Sequence, residues 1–248
     1  MTIGQSGVRE ASCPHGLCDG SGWILAEDDA AQPCRCRETR LSRSRSQRMG
    51  SGIPKRFRDL LREASFDRNP VRGLDPLILD EVRRFTRHID KNLGGGVGRW
   101  FEGDVGTGKT MLAMLISKAA LDNGHSVAIY SVPGLLAQIQ ETYDDNSNHS
   151  YMDLFRRLCT VDLLHLDDLG TERPTDWVVE QLYSIVNERW QDKRSIVVTT
   201  NLAHDELRKQ LGARTVSRLF GICGEPLQIM GEDQRQRSAP ELGAPSWP

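Results

Sequence analysis

Apolar residues recur at helical spacing between positions 76 and 93, where Ile78, Val82, Phe85 and Ile89 share one face. Gly94, Gly95 and Gly96 end that run. Beyond the glycines, short β-branched or aromatic runs alternate with longer amphipathic stretches. Residues 99–101, 127–132, 161–166, 195–200 and 226–230 read as strands, with 161–166 apolar enough to be buried. Residues 110–122, 177–190 and 203–211 read as helices; Asn123 and Gly124 stop the first, and Pro133 suits the opening turn of another. Such alternation predicts an α/β fold, a parallel sheet with helices on both faces.

The flanks break the pattern. Residues 1–40 are rich in Cys and Gly, and 41–52 form a Ser/Arg-rich linker without periodicity. The alternating region occupies 53–237, and 238–248, with three prolines, reads as a disordered tail. No internal repeat is present.

Composition alters this picture little. Hydrophobic residues make up 38% and charged residues 27% of the 248, as in ordinary soluble proteins. No apolar run approaches the roughly 20 residues of a membrane span. The first ten residues lack the apolar core of a secretory signal, so the expected location is cytoplasmic, with no membrane partner. The net charge of −2 conceals a basic stretch from Arg35 to Arg62, opposed only by Glu38 and Asp59. Such a stretch attracts a phosphate backbone or an acidic protein surface, or is a solvated linker.

Chemistry concentrates in three places. Gly103, Asp104, Val105, Gly106, Thr107, Gly108, Lys109 and Thr110 lie between an expected strand and an expected helix. The glycines let the backbone curl so that its N–H groups face phosphate oxygens, and the helix adds the positive end of its dipole. Lys109 would reach the β- and γ-phosphates of ATP, and Thr110 would ligate Mg²⁺. Chance yields this pattern in roughly one chain of this length in a hundred, before its strand–helix context is counted. Next, the strand at 161–166 runs into Asp167 and Asp168, where open α/β sheets bind ligands. Asp167 is the candidate Mg²⁺ ligand and Asp168 the candidate general base for an attacking water. His165 reads as a packed core residue. Finally, the strand at 195–200 ends in Asn201, which either senses the γ-phosphate or caps the next helix.

In this order the three elements resemble an AAA+ P-loop ATPase core. Asp167-Asp168-Leu169-Gly170-Thr171-Glu172, followed by Thr199-Thr200-Asn201-Leu202, is similar to the bacterial replicative helicase loaders of the DnaC/DnaI type and to the related IstB transposition ATPases. The resemblance covers about residues 52–237. It implies ATP hydrolysis at subunit interfaces, self-association, and loading of the replicative DNA helicase onto single-stranded DNA during replication initiation. It also implies that Arg218 is an arginine finger supported by Arg214, and that Arg235 is a second sensor. Regulation of transposition, or an ATP-gated adaptor with little turnover, are the alternatives. A small-molecule kinase is disfavoured, since no acceptor lid is evident. Two departures stand out. Asp168 is one methylene shorter than the Glu common at that position, and residues 131–155, where loaders are expected to touch DNA, contain no Lys or Arg.

Four of the six cysteines fall within the first 36 residues. Cys13, Cys18, Cys34 and Cys36 suit a closed Zn²⁺ site, with His15 as a possible substitute ligand. The pattern around Gly20, Gly22 and Trp23 resembles the zinc-bearing N-terminal unit with which loaders of the DnaI type dock on the helicase. Cys159 and Cys223, alone among apolar neighbours, read as core residues.

Overall fold

In the computed structural model the described residues are 53–143 and 150–233, together with 13, 16–19, 21–25, 30–34 and 37. The expected linker and tail, along with His15, Cys36 and Arg235, lie outside them. Near the N-terminus, β1 (Trp23–Leu25) and β2 (Ala31–Pro33) pair antiparallel, with Trp23 opposite Pro33.

The main body begins with α1 (Lys55–Glu63), a helix not among those expected, whose Phe57 is buried. Next comes α2 (Pro76–Arg87), capped by the Asp75 carboxylate accepting from the Leu77 N–H at 2.7 Å. The single helix expected over 76–93 is in fact two. His88 leaves helical geometry (φ −109°, ψ 32°) before α3 (Ile89–Gly94), and the Asn92 amide donates to the Phe85 carbonyl freed by the break, at 3.0 Å. Then follow β3 (Arg99–Glu102), α4 (Lys109–Asp122), β4 (Val127–Ser131), α5 (Val132–Glu141), α6 (Tyr151–Thr160), β5 (Leu163–Leu169), α7 (Asp176–Gln191), β6 (Ser195–Thr200), α8 (His204–Leu211), α9 (Ala213–Cys223) and β7 (Leu227–Gln228).

The five strands β3 to β7 form one parallel sheet in the order β4-β5-β6-β3-β7. Alternation along each strand divides the core. Phe101, Ile129, Leu163 and Val197 pack against α1 to α4, whereas Trp100, Tyr130, Leu164, Leu166 and Val198 pack against α5 to α9. Each fully buried Leu, Ile or Phe contributes about 1.5–3 kcal/mol, so both faces hold the sheet.

The core also holds a cationic group. Arg189 of α7 is fully buried and donates to five carbonyls: Leu158 (2.7 Å), Cys159 (3.3 Å), Val161 (3.0 Å), Asp162 (3.3 Å) and Ser195 (2.6 Å). Its guanidinium clasps the end of α6 to the starts of β5 and β6. Burial lowers its pKa to about 9, still protonated at neutral pH. Cys159 and Cys223 are buried thiols, pushed up to about 11 and about 12 respectively, in each case chiefly by desolvation. Neither is a nucleophile at neutral pH.

Among the described residues no helix is long and apolar enough to cross a membrane.

Candidate nucleotide site

The strand order decides where the chemistry meets. Because β3, β6 and β5 are parallel neighbours, their C-terminal ends share one edge, with the P-loop leaving β3 and the acidic pair leaving β5. Gly103 leaves β3 with φ 150°, and a Cβ there would stand 2.2 Å from the Ile229 carbonyl oxygen. Only glycine lets the loop turn so close to the neighbouring chain. Gly108 precedes α4 at φ 97°, and no side chain caps that helix. An uncapped helix N-terminus beneath a curled glycine loop is a cradle for an anion.

Lys109 is 5% exposed and its ammonium donates to the carbonyls of Gly103 (2.9 Å) and Asp104 (2.5 Å), holding the loop curled. Thr107 tightens the same turn by donating to the Asp104 carbonyl at 2.9 Å. Across from the loop, one oxygen of Asp167 accepts from the Thr110 hydroxyl at 2.9 Å and the Thr199 hydroxyl at 2.8 Å. Burial pushes the Asp167 carboxyl up. The nearby His165 ring and the two hydroxyls more than offset it, so the group lies below the usual carboxylate range and is ionised.

β5 and β6 pair in register from Leu163 opposite Ser195 to Leu166 opposite Val198, then resume at Leu169 opposite Thr200. Three steps on β5 therefore oppose two on β6, a bulge that holds the two aspartates. Asp168 takes φ 58°, rare for a residue with a Cβ, and its N–H is anchored to the Thr199 hydroxyl at 2.9 Å. The bulge re-aims both side chains: Asp167 faces Thr110, and Asp168 joins it in lining the cavity. Glu172 fixes the following turn by accepting from the Gly170 N–H at 3.0 Å, while Gln210 donates to the carbonyls of Gly170 (2.9 Å) and Glu172 (2.7 Å). Burial raises the Glu172 pKa.

These groups enclose a cavity of about 590 Å³. Its lining includes Lys109, Thr110, Asp167, Asp168 and Asn201, together with Arg56, Phe57 and Pro70. Asn201 does not cap the next helix. Ala203 occupies that position, and the Glu206 carboxylate accepts from its N–H at 3.2 Å. The amide is thereby left facing the cavity. The hydroxyl–carboxylate pair of Thr110 and Asp167 offers the hard oxygen donors that Mg²⁺ prefers, and the glycine cradle with Lys109 suits a polyphosphate.

Sequence reasoning missed Thr199, the hydroxyl that binds both aspartates' segments; a polar residue closing a β-branched strand was its only signal. It also missed the contribution of α1. His165 is fully buried as expected, with Nδ1 3.0 Å from the Ser117 hydroxyl and Nε2 3.8 Å from Asp167.

Arg218 is elsewhere. It lies on α9, its guanidinium 4.8 Å from the ring centre of Tyr183 and 5.5 Å from that of Trp190. Among the described residues its buried Nε has no hydrogen-bond partner. With Arg208, Arg214 and Ser217 it surrounds a second hollow of about 480 Å³ that shares no residue with the first. Near the N-terminus, the sulfurs of Cys13, Cys18 and Cys34 lie within 4.8 Å of one another. Three thiols so placed are a donor set that fits Zn²⁺.

A family model described as IstB-like ATP binding protein matches residues 37–238. The chain belongs to the IstB-like ATP-binding family. Its fold is an AAA+ P-loop fold, matching the crystal structure of the DnaC helicase loader, which superposes with a TM-score of 0.59 at 25% identity over 71% of this chain and 100% of that one. The replicative helicase loader DnaC of Escherichia coli (strain K12) is 31% identical over 141 residues, 57% of this chain and 56% of the relative. The uncharacterized protein YdaV of the same strain is 33% identical over 130 residues, 52% of each chain. This member of the IstB-like family thus spans about half the length of these curated relatives.

Proposed function

We propose that the chain is an ATP-dependent loader of the replicative DNA helicase onto single-stranded DNA, hydrolysing ATP at interfaces between its own subunits. One observation carries the reading: Lys109, the Thr110–Asp167 pair, Asp168 and Asn201 converge on one cavity, while Arg218 stands outside it. Mg²⁺ bound by Thr110 and Asp167 would neutralise charge on the phosphates. Lys109 exchanges its carbonyl partners for β- and γ-phosphate oxygens. Asp168 takes the proton of the attacking water, which the Asn201 amide orients. Arg218, supported by Arg214, serves the cavity of a neighbouring subunit, so turnover requires assembly. Arg235 completes the site as a second sensor. Because Asp168 is short, turnover is slow and the ATP state acts largely as a switch.

The cysteine cluster, completed by Cys36 and holding Zn²⁺, grips the helicase. The name carried by the DnaC relatives supports this reading, as does a cysteine-rich unit ahead of the core, since IstB-type transposition ATPases are expected to begin with a helical domain. The family description supports a second reading, regulation of transposition. Size-exclusion chromatography of the full chain with ATP and the cognate replicative helicase, with zinc measured on the same fractions, tests the proposal. Co-elution with about one zinc per chain is expected. Capture of a transposase in place of the helicase would select the second reading. Phosphate release unaltered by Asp168→Asn, with helicase and DNA present, would reduce the chain to a nucleotide-gated adaptor.

A further inference from the structure

The end of the sheet opposite the P-loop carries a second concentration of charge. Arg84 and Arg87 lie in the last turn of α2, His88 at the break, and Lys91 on α3. All four are exposed. Arg84, His88 and Lys91 form a basic stripe across the helix break and line one hollow. Arg99, the first residue of β3, approaches the stripe from the sheet, its guanidinium 4.5 Å from the ring centre of Phe85. Arg84, His88, Lys91 and Arg99 surround a hollow of about 240 Å³ whose floor is Phe85.

Charge in this hollow is unbalanced. Glu81 is the carboxylate beside it, and it already accepts from both Arg84 and Arg99, the latter at 2.6 Å. Asp90 is engaged by the His125 ring at 2.7 Å. Asp80 sits one turn before Arg84, at the far end of the stripe. Three permanent cations and an imidazole thus share one carboxylate. Burial lowers the Arg99 pKa; Cys223 opposes the shift and the Arg84 charge adds to it. The Asn92 amide bond to the Phe85 carbonyl fixes the helix junction, so the cations converge on a built concavity.

We propose that this hollow binds the phosphate backbone of a nucleic-acid strand, independently of the nucleotide cavity. The hollow offers cations and a covered phenyl floor, with no exposed Phe, Tyr or Trp in its lining, so it grips backbone and ignores sequence. The four residues of β3 put it roughly 13 Å from the start of the P-loop, so ATP held there does not reach it. It also supplies the contact that residues 131–155, devoid of Lys and Arg, lack. The inference rests on the reading that this chain works on nucleic acid.

The test uses the full chain and a fluorescein-labelled oligo-dT, with binding read by anisotropy across a salt series. Arg84→Ala/Lys91→Ala removes two exposed cations. The magnitude of the slope of log K against log salt should fall by about 1.4, and affinity near 0.1 M salt by at least about tenfold. Binding of a fluorescent ATP analogue and co-elution with the helicase should be unchanged. An unaltered slope would overturn the assignment. So would a variant whose loss appears only with a poly-glutamate probe, which would mean an acidic protein docks here, or only with tripolyphosphate, which would mean a free anion site. If the wild-type chain binds no oligo-dT yet co-elutes with helicase, this site fails while the loader reading stands. Loss of co-elution with oligo-dT binding intact separates the two in the other direction.

Discussion

Replacing Thr199 by Val keeps the shape of the side chain and removes one oxygen. That oxygen donates to the Asp167 carboxylate at 2.8 Å and accepts from the Asp168 N–H at 2.9 Å, in a fully buried position. Leaving the N–H unpaired costs about 1–3 kcal/mol, and a hydrogen bond to an ionised carboxylate contributes about 1.5–3 kcal/mol. The added methyl recovers about 0.8 kcal/mol by burial. The net loss is therefore about 2–5 kcal/mol. For a unit of this size it lowers Tm by roughly 4–20 °C. The functional loss is separate. Asp168 holds φ 58° against that hydroxyl, and Asp167 loses one of its two hydroxyl donors, so apparent Mg²⁺ affinity should fall by at least about tenfold. Thr199→Ser, which keeps the oxygen, should restore most of both. The assays are calorimetric melting and phosphate release titrated with Mg²⁺. A Thr199→Val protein that melts within about 2 °C of wild type and titrates normally with Mg²⁺ would refute the idea that this hydroxyl ties the acidic pair together.

Three further outcomes are expected. Arg218→Ala should leave nucleotide binding intact and lower phosphate release by the assembled protein by about 10³-fold or more. Mixing it with Lys109→Ala subunits, which supply Arg218 and bind no nucleotide, should restore part of that activity, and no restoration on mixing counts against action between subunits. Cys34→Ser should cut bound zinc, measured by atomic absorption, to well under half of wild type without moving the nucleotide affinity of the core. Asp162 accepts from the Ser126 N–H at 2.9 Å, its hydroxyl at 2.8 Å and Arg194 at 3.0 Å. Burial raises its pKa, but these partners and His125 outweigh it and the net shift is downward. Its ionised form therefore contributes stability above about pH 4, the unfolded value, which is lost as pH falls through the lower folded value. Asp162→Asn should be less stable than wild type in urea at pH 7, and the gap should narrow below pH 4. A gap that is constant with pH would assign the effect to packing.

Contiguous chemistry was legible in the sequence, and chemistry that depends on strand order was not. Gly103 to Thr110 and Leu163 to Asp168 each carry their meaning within one strand–turn unit, so local pattern sufficed to locate both on one sheet edge. Thr199 meets Asp167 only because β6 inserts between β3 and β5, a neighbour relation that hydrophobic alternation does not encode. Arg189 reads as one more charge on an amphipathic helix, and its burial follows from five carbonyl ends that tertiary packing brings together. The helix over 76–93 was expected whole because its apolar face continues through His88; what breaks it is a side-chain amide competing for a backbone carbonyl. Asn201 read as a sensor or a cap, and Glu206, three residues into the next helix, is what took over the capping.

The insertion of β6 also bears on how the chain folds. Arg99 pairs with Val197 and Glu102 with Thr200, contacts that close a loop of almost a hundred residues. Loops of that length are slow to close, and a parallel sheet gains nothing until they do. On the ribosome, β3, the P-loop and α4 emerge early and must wait, with both flanks of β3 unpaired, at least until residue 200 is synthesised. Nucleotide affinity is therefore acquired late, and a nascent chain halted before Thr200 would carry the whole phosphate-binding motif yet hold ATP no better than an unstructured peptide.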